Sequence, residues 1–433
     1  VISGSPERPA TNEYDMKKNL IIGLIVLFVA SNIAFLLYFY HTNVREVLVM
    51  EEGPLLEVAE KLRAQMIEEY PRLEVEAMPV ADEENAYLLI ASFKEESVDH
   101  GPFDEMGIIE LLFMDGEEDA QQWDHDKVKE FILANEKIIE WMEAVAALDK
   151  SSILPLRMWP EQSHDPGLIK DSCRLFWIKA LFAAKEGDAE SALRHLEVVQ
   201  KVASHLLNIE APDVLNFLTV AGIDRPMQQV ILERVLPTLG RQDDLERWKS
   251  VLSAGEYTPE QYARMLRGTW YREAPMWVVA IEYNPWRRGS YQSAMMASAR
   301  VNHTLIERLE EADLESMLYP EFWEVDISRS ELKYNVSYIP GGFQELNIQH
   351  SMIHVQTALI QHLYEAVMDL LILEANGEEL TADSAAKVTK DPVTGQPFRF
   401  DPDERILSWP ELPEEIQAIM WRSEEFKYVP LPW

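Results

Sequence analysis

The run from Leu20 to Tyr40 constrains this chain more than any other feature. It follows Met16-Lys17-Lys18 and carries no ionisable side chain other than Tyr38 and Tyr40. Coiled as a helix, such a run matches the roughly 30 Å hydrocarbon core of a bilayer. Arg8, Lys17 and Lys18 precede it, whereas only Arg45 is basic among the fifteen residues after Tyr40. The positive-inside bias therefore predicts a cytoplasmic N-terminus and an exoplasmic body, with Tyr38, Tyr40 and His41 at the headgroup level. A cleaved signal peptide is the competing reading. It is disfavoured because the run exceeds a usual h-region and no small-x-small cleavage site follows. Residues 1–18, with Pro6 and Pro9, read as a disordered tail, or as an upstream extension of a gene starting at Met16.

The single cysteine, Cys173, excludes an intrachain disulfide, so ordinary cores must stabilise the body. Its neighbours Leu175, Phe176 and Ile178 predict a buried small hydrophobe rather than a reactive thiol. Net charge is −36, and residues 51–130 hold 24 acidic against 6 basic side chains, a balance of −18. Such a surface repels phosphate backbones and anionic lipid heads, which argues against nucleic-acid binding. Solvation accounts for it. The divalent-cation alternative, Asp115-Gly116-Glu117-Glu118-Asp119 with Asp124 and Asp126, lacks the ligand spacing of an EF-hand loop.

The pattern beyond the apolar run predicts a mainly α fold: an irregular multi-helix body built on αα-hairpins, closed by a small C-terminal β-hairpin. Its parts are an acidic membrane-proximal region over 42–125, a helical body over 126–375 and a linker with the hairpin over 376–433. A helix is expected over Leu55–Glu69, ended by Pro71, with an isolated strand over Leu73–Ala77. Val128, Phe131, Ile132, Ile138, Ile139, Met142 and Val145 recur at helical steps, and Asn135 on that stripe is expected to tie the helix to a neighbouring backbone. Asp165-Pro166-Gly167 starts a helix that stops at Gly187, and Asp188 caps the next, an αα-hairpin signature resembling one tetratricopeptide unit without a second copy. Further helices are expected over Pro226–Leu239, over Asp243–Ser253 and from Thr258-Pro259-Glu260-Gln261, the last interrupted at Pro275 and Pro285 beside Trp270, Trp277 and Trp286. The longest regular pattern, Ile348, Met352, Val355, Leu359, Leu363, Ala366, Leu370 and Leu373, predicts a helix over about 344–374. Asp391-Pro392-Val393-Thr394-Gly395 forms a turn, and Phe398-Arg399-Phe400 is expected to pair with Ile406–Trp409.

Motifs for chemistry are few. His350 and His354 stand four apart on the long helix, with His362 and Glu365 two turns on, and the i, i+4 spacing is that of helical metal sites. The HExxH glutamate is missing because Ser351 follows His350. His362 before Glu365 also reverses the Glu-x-x-His order of di-iron bundles. These four are the candidate metal ligands, set against packing along the apolar seam. No nucleotide loop, GxSxG elbow or triad can be nominated, so no cofactor is expected and no catalytic residue is assigned. Asn302-His303-Thr304 and Asn335-Val336-Ser337 match the glycosylation sequon.

The stretch at 81–87 (Ala-Asp-Glu-Glu-Asn-Ala-Tyr), the Gly187-Asp188 junction and the Asp391–Phe398 turn, taken with the apolar run, carry a resemblance. The chain resembles the single-pass, mostly helical envelope proteins of planctomycete and verrucomicrobial bacteria. The resemblance implies an inner-membrane anchor with a periplasmic helical body, and supplies no catalytic residues. The Asp-Pro turn is also similar to that of type II secretion pseudopilins, but Lys18-Asn19-Leu20 stands where those carry Gly-Phe-Thr. The expected function is a non-enzymatic scaffold that binds an envelope partner. The alternatives are an exoplasmic metal-dependent hydrolase and a secretion-apparatus subunit.

Overall fold

A computed structural model describes residues 52–93, 123–153, 164–283, 288–325, 340–410 and 428–432. The expected anchor at 19–41, the tail before it, the Asp115–Asp119 cluster, Trp286 and Asn335 lie outside them. Among the described residues, no helix is long and apolar enough to cross a membrane. The body is mainly helical with a small antiparallel sheet near its C-terminus.

Helix α1, Glu52–Glu69, ends in a 3-10 turn at Pro71–Leu73, and no strand follows at Leu73–Ala77. Alternation alone cannot hold a strand without a partner edge to accept its backbone bonds. Helix α2, Ala86–Ser92, is capped by Asn85. The stripe from Val128 to Val145 splits into α3, His125–Ala134, and α4, Glu136–Ala146. Buried Asn135 marks the break, donating from Nδ2 to Phe131 O at 2.8 Å. The partner is the preceding turn of its own stripe rather than a neighbouring element.

Helices α5, Pro166–Lys185, and α6, Ala189–Leu207, form the expected hairpin. The Asp165 carboxylate accepts from Gly167 N and Leu168 N, and the Asp188 carboxylate from Ser191 N. Gly187 joins them at φ +77°, a left-handed conformation that costs a side-chain-bearing residue about 1 kcal/mol. Cys173 in α5 is fully buried, and burial pushes its thiol pKa up.

Helix α7, Val214–Gln229, starts twelve residues before the expected Pro226 boundary. Asp213 and Asn216 make a reciprocal capping box that outranks the proline signal. Pro226 lies inside the helix, where it forfeits the bond to the Gly222 carbonyl, and a π-helical turn follows at Val230–Val235 before the helix ends at Leu236–Leu239. Helix α8 is shorter than expected, Leu245–Ser250, capped by Asp244.

Helix α9, Pro259–Tyr283, opens on the Thr258 cap as expected but runs through Pro275 without interruption, and α10 follows at Arg288–Leu309. The Arg63 guanidinium of α1 lies 3.8 Å from the centre of the Tyr271 ring and donates to Tyr271 O, docking α1 on α9. Asn302 is buried in α10 with Nδ2 donating to Ser298 O at 2.9 Å, which is incompatible with a glycan on that nitrogen.

Helix α11, Pro340–Ala375, is the central element. The expected seam residues Val355, Leu359, Leu363, Ala366 and Leu370 are buried, and so are Tyr364, Val367, Met368 and Leu371 on other faces. A helix buried on most sides sits inside a body rather than along one neighbour. Its end is tied by Arg405, whose guanidinium donates to both oxygens of Glu374 at 3.0 and 2.9 Å.

The C-terminal sheet has three strands in the order β1, Arg399–Asp401; β2, Ile406–Ser408; and β3, Tyr428–Pro430. The expected hairpin is β1 with β2, and β3 adds an unforeseen edge. Phe400 lies opposite Leu407, and Leu407 opposite Val429, so the central residue of each strand is buried. One hydrophobic core unites the described residues from Met66 to Leu431.

Candidate functional site

The four candidate metal ligands occupy separate environments. His350 is half-buried. His354 is fully buried, its ring centre 5.0 Å from Phe217, 5.2 Å from Tyr262 and 5.6 Å from Tyr257. Its Nε2 donates to Thr258 O, and burial pushes its pKa down to about 3 despite that bond. His362 donates from Nδ1 to Lys390 O at 3.1 Å, and Glu365 accepts from Gln361 Nε2 at 2.8 Å. Among the described residues, no group of three or more His, Cys, Asp or Glu side chains is placed to hold a metal ion.

A second polar cluster joins the 148–153 segment to α6, to the connection that follows α6 and to the Asn85 cap of α2. Ser151 Oγ donates to His205 Nδ1 at 2.6 Å while His205 Nε2 donates to Leu148 O at 3.0 Å. Ser152 Oγ and Ile153 N donate to Glu210, and Ser152 N donates to Asn85 Oδ1. A serine on an imidazole is the grammar of a nucleophile and its base. Here Ser151, Ser152, His205 and Glu210 are all buried, and the adjacent amides of Ser152 and Ile153 are consumed by side chains instead of facing an oxyanion. The cluster satisfies buried polar groups and fixes the segment.

An open cavity of about 690 Å³ lies where α6, α8, α9 and α11 meet. Asn208 ends α6 at its rim, and Glu246, Lys249 and Ser250 come from α8. The loop Ser253–Glu256 forms another wall, with Gln261 from the first turn of α9 and Gln361 and Glu365 from α11 opposite. Glu246 and Glu256 are exposed, Glu365 and Lys249 half-buried, and Gln361 is 7 % exposed.

Two residues behind the wall set its shape. Asp224 of α7 is fully buried and accepts from Ala254 N, from Ser253 Oγ at 2.9 Å and from Tyr257 OH at 2.7 Å, so one carboxylate folds the whole loop. Burial lifts its pKa to about 6, more than these three bonds lower it. His354 holds the next residue, Thr258. Lys249 is committed to Asp369, whose other oxygen accepts from Thr389 N and Oγ1.

Of the candidate ligands, only Glu365 lines this cavity. Glu246, Glu256, Gln261 and Gln361 were missed because they come from distant segments and none belongs to a motif. Asp224 had a usable signal, a carboxylate beside Ile223 on an apolar helix, the logic that singled out Asn135. The chain matches no protein-family model, no curated protein and no solved structure.

Proposed function

We propose that this chain is a membrane-tethered, non-enzymatic helical protein of the bacterial envelope. In this reading residues 19–41 span the inner membrane with the N-terminus cytoplasmic, and the periplasmic body binds or scaffolds another envelope component. The observation that carries the reading is the docking of α1 on α9 through Arg63 and Tyr271. The first described helix after the apolar run is built into the body, so residues 42–51 are the link. Fully extended, that segment reaches no more than about 40 Å, which keeps a body of net negative charge near the headgroups while its charge holds it off anionic lipid. The unit is then a helical platform held within that reach of the bilayer, an architecture suited to holding a partner.

Cell fractionation tests the tether. The chain should sediment with membranes and require detergent for release, and its C-terminus should be digested by protease added to spheroplasts. Recovery in the supernatant without detergent overturns the reading. Crosslinking in native membranes followed by pull-down tests the partner, and reproducible recovery of the chain alone overturns the scaffold.

A further inference from the structure

We infer that Asn376 is a self-modifying residue, converting without an enzyme to aspartate or isoaspartate at a rate held down by the turn that ends α11 and by the Arg405 clamp behind it. Asn376-Gly377 is the only Asn-Gly pair in the chain, and both residues are exposed. Glycine hinders the chemistry least, since no Cβ shields its backbone nitrogen. The Gly377 nitrogen, losing its proton to solvent base, attacks Cγ of Asn376. The new N–Cγ bond closes a cyclic imide, the Cγ–Nδ2 bond breaks and ammonia leaves. Water, the one co-reactant, then opens the ring at either carbonyl. One opening gives aspartate, and the other gives isoaspartate with the backbone rerouted through Cβ and Cγ.

The fold controls the nucleophile. Gly377 N donates to Glu374 O at 3.0 Å and Glu378 N to Leu373 O at 3.0 Å, with Gly377 at φ +87°. These paired bonds are those of a left-handed glycine helix termination, and they aim the attacking nitrogen at a carbonyl oxygen. Reaction therefore waits on opening of the last turn, a local event with its own free energy. Glu374 holds that turn with both of its ends. Its carbonyl oxygen accepts from Gly377, and its carboxylate receives both Arg405 donors at 3.0 and 2.9 Å. Arg405 is itself fixed to the sheet, its backbone oxygen accepting from Leu431 N at 2.9 Å. Isoaspartate would add a backbone carbon and a negative charge where the helix dipole is already negative, so the turn would not re-form. Asn208, exposed at the end of α6, is an internal control, because the branched side chain of Ile209 shields the next nitrogen.

The inference stands apart from the tether and the partner, so its failure would leave the fractionation and pull-down results untouched. The test is incubation of the full chain in detergent at neutral and mildly alkaline pH, with peptide mapping by mass spectrometry and enzymatic isoaspartate labelling. Slow conversion at Asn376, faster in alkali, and none at Asn208 is expected. Arg405→Ala and Glu374→Gln should each raise the rate about fivefold to tenfold, and the parent in urea should react faster still. Circular dichroism identifies a variant that fails to fold. Arg405→Lys, which keeps the charge and loses the paired donors, should then fall between the folded parent and the urea rate. Absence of conversion at Asn376 in urea, equal rates for the folded and unfolded parent, or clamp variants that react no faster than the parent overturns the assignment.

Discussion

His354 Nε2 donates to the backbone oxygen of Thr258 at 2.9 Å, joining the interior of α11 to the residue that caps α9. Because the ring is neutral and fully buried, the bond ties stability to pH. The native pKa is pushed down from 6.5 to about 3, so in acid the unfolded chain takes up a proton that the folded chain refuses. This contribution is complete above pH 6.5 and is lost as pH falls toward 3. Urea denaturation at pH 7 and pH 5 should show the loss. His354→Phe should flatten that slope while costing about 1–2 kcal/mol at neutral pH through the orphaned Thr258 oxygen.

Asp224 carries the opposite sign. Its pKa rises from 3.8 to about 6 on folding, so its contribution is complete below pH 3.8 and fades as pH climbs through about 6. Asp224→Asn should remove that dependence and preserve the loop, since the hydroxyls of Ser253 and Tyr257 can reverse their bonds. Asp224→Ala strands the Ala254 amide and the Tyr257 hydroxyl, Ser253 Oγ keeping Gly255 O, and should cost about 2–3 kcal/mol. Denaturant midpoints for the two variants across pH 4 to 8 would separate these effects.

Gly268 in α9 is a contact point, not a hinge. A Cβ there would meet the backbone of Ala211 at 2.6 Å, in the connection between α6 and α7. Backbone cannot swing aside as a side chain can, so Gly268→Ala should destabilise by about 2–3 kcal/mol. Gly187→Ala, with open space around it, should cost only about 1 kcal/mol. Thermal melting of both variants ranks them.

Cys173 should be inert in the folded protein. It is fully buried and its thiol is held protonated by the apolar surroundings of α5. Iodoacetamide labelling followed by mass spectrometry should show no modification under native conditions and complete modification in urea. Rapid native labelling would contradict the packing of α5 against α6.

Boundaries set by adjacent residues were legible in the sequence. Asp165, Gly187-Asp188 and Thr258-Pro259 act within one helical turn, and each stands where its chemistry predicts. Prolines misled where tertiary context decides: Pro226 and Pro275 read as helix boundaries, yet both lie within helices whose packing outweighs a lost bond. The third strand was hidden because three residues at Tyr428–Pro430 carry no periodicity without the edge of β2 beside them. Of the cavity lining, the sequence pattern singles out only Glu365, and for a different chemistry. The remaining wall residues become neighbours only when α8 and α11 pack, which no local pattern records.

The Asp369 carboxylate serves α8 with one oxygen and the Thr389 segment with the other. Clipping the chain before Thr389 would leave that second oxygen without its clasp and slacken Lys249 at the cavity wall. Susceptibility of the C-terminal portion to limited proteolysis should therefore track how firmly α8 is held against α11, a gel-based readout of that junction.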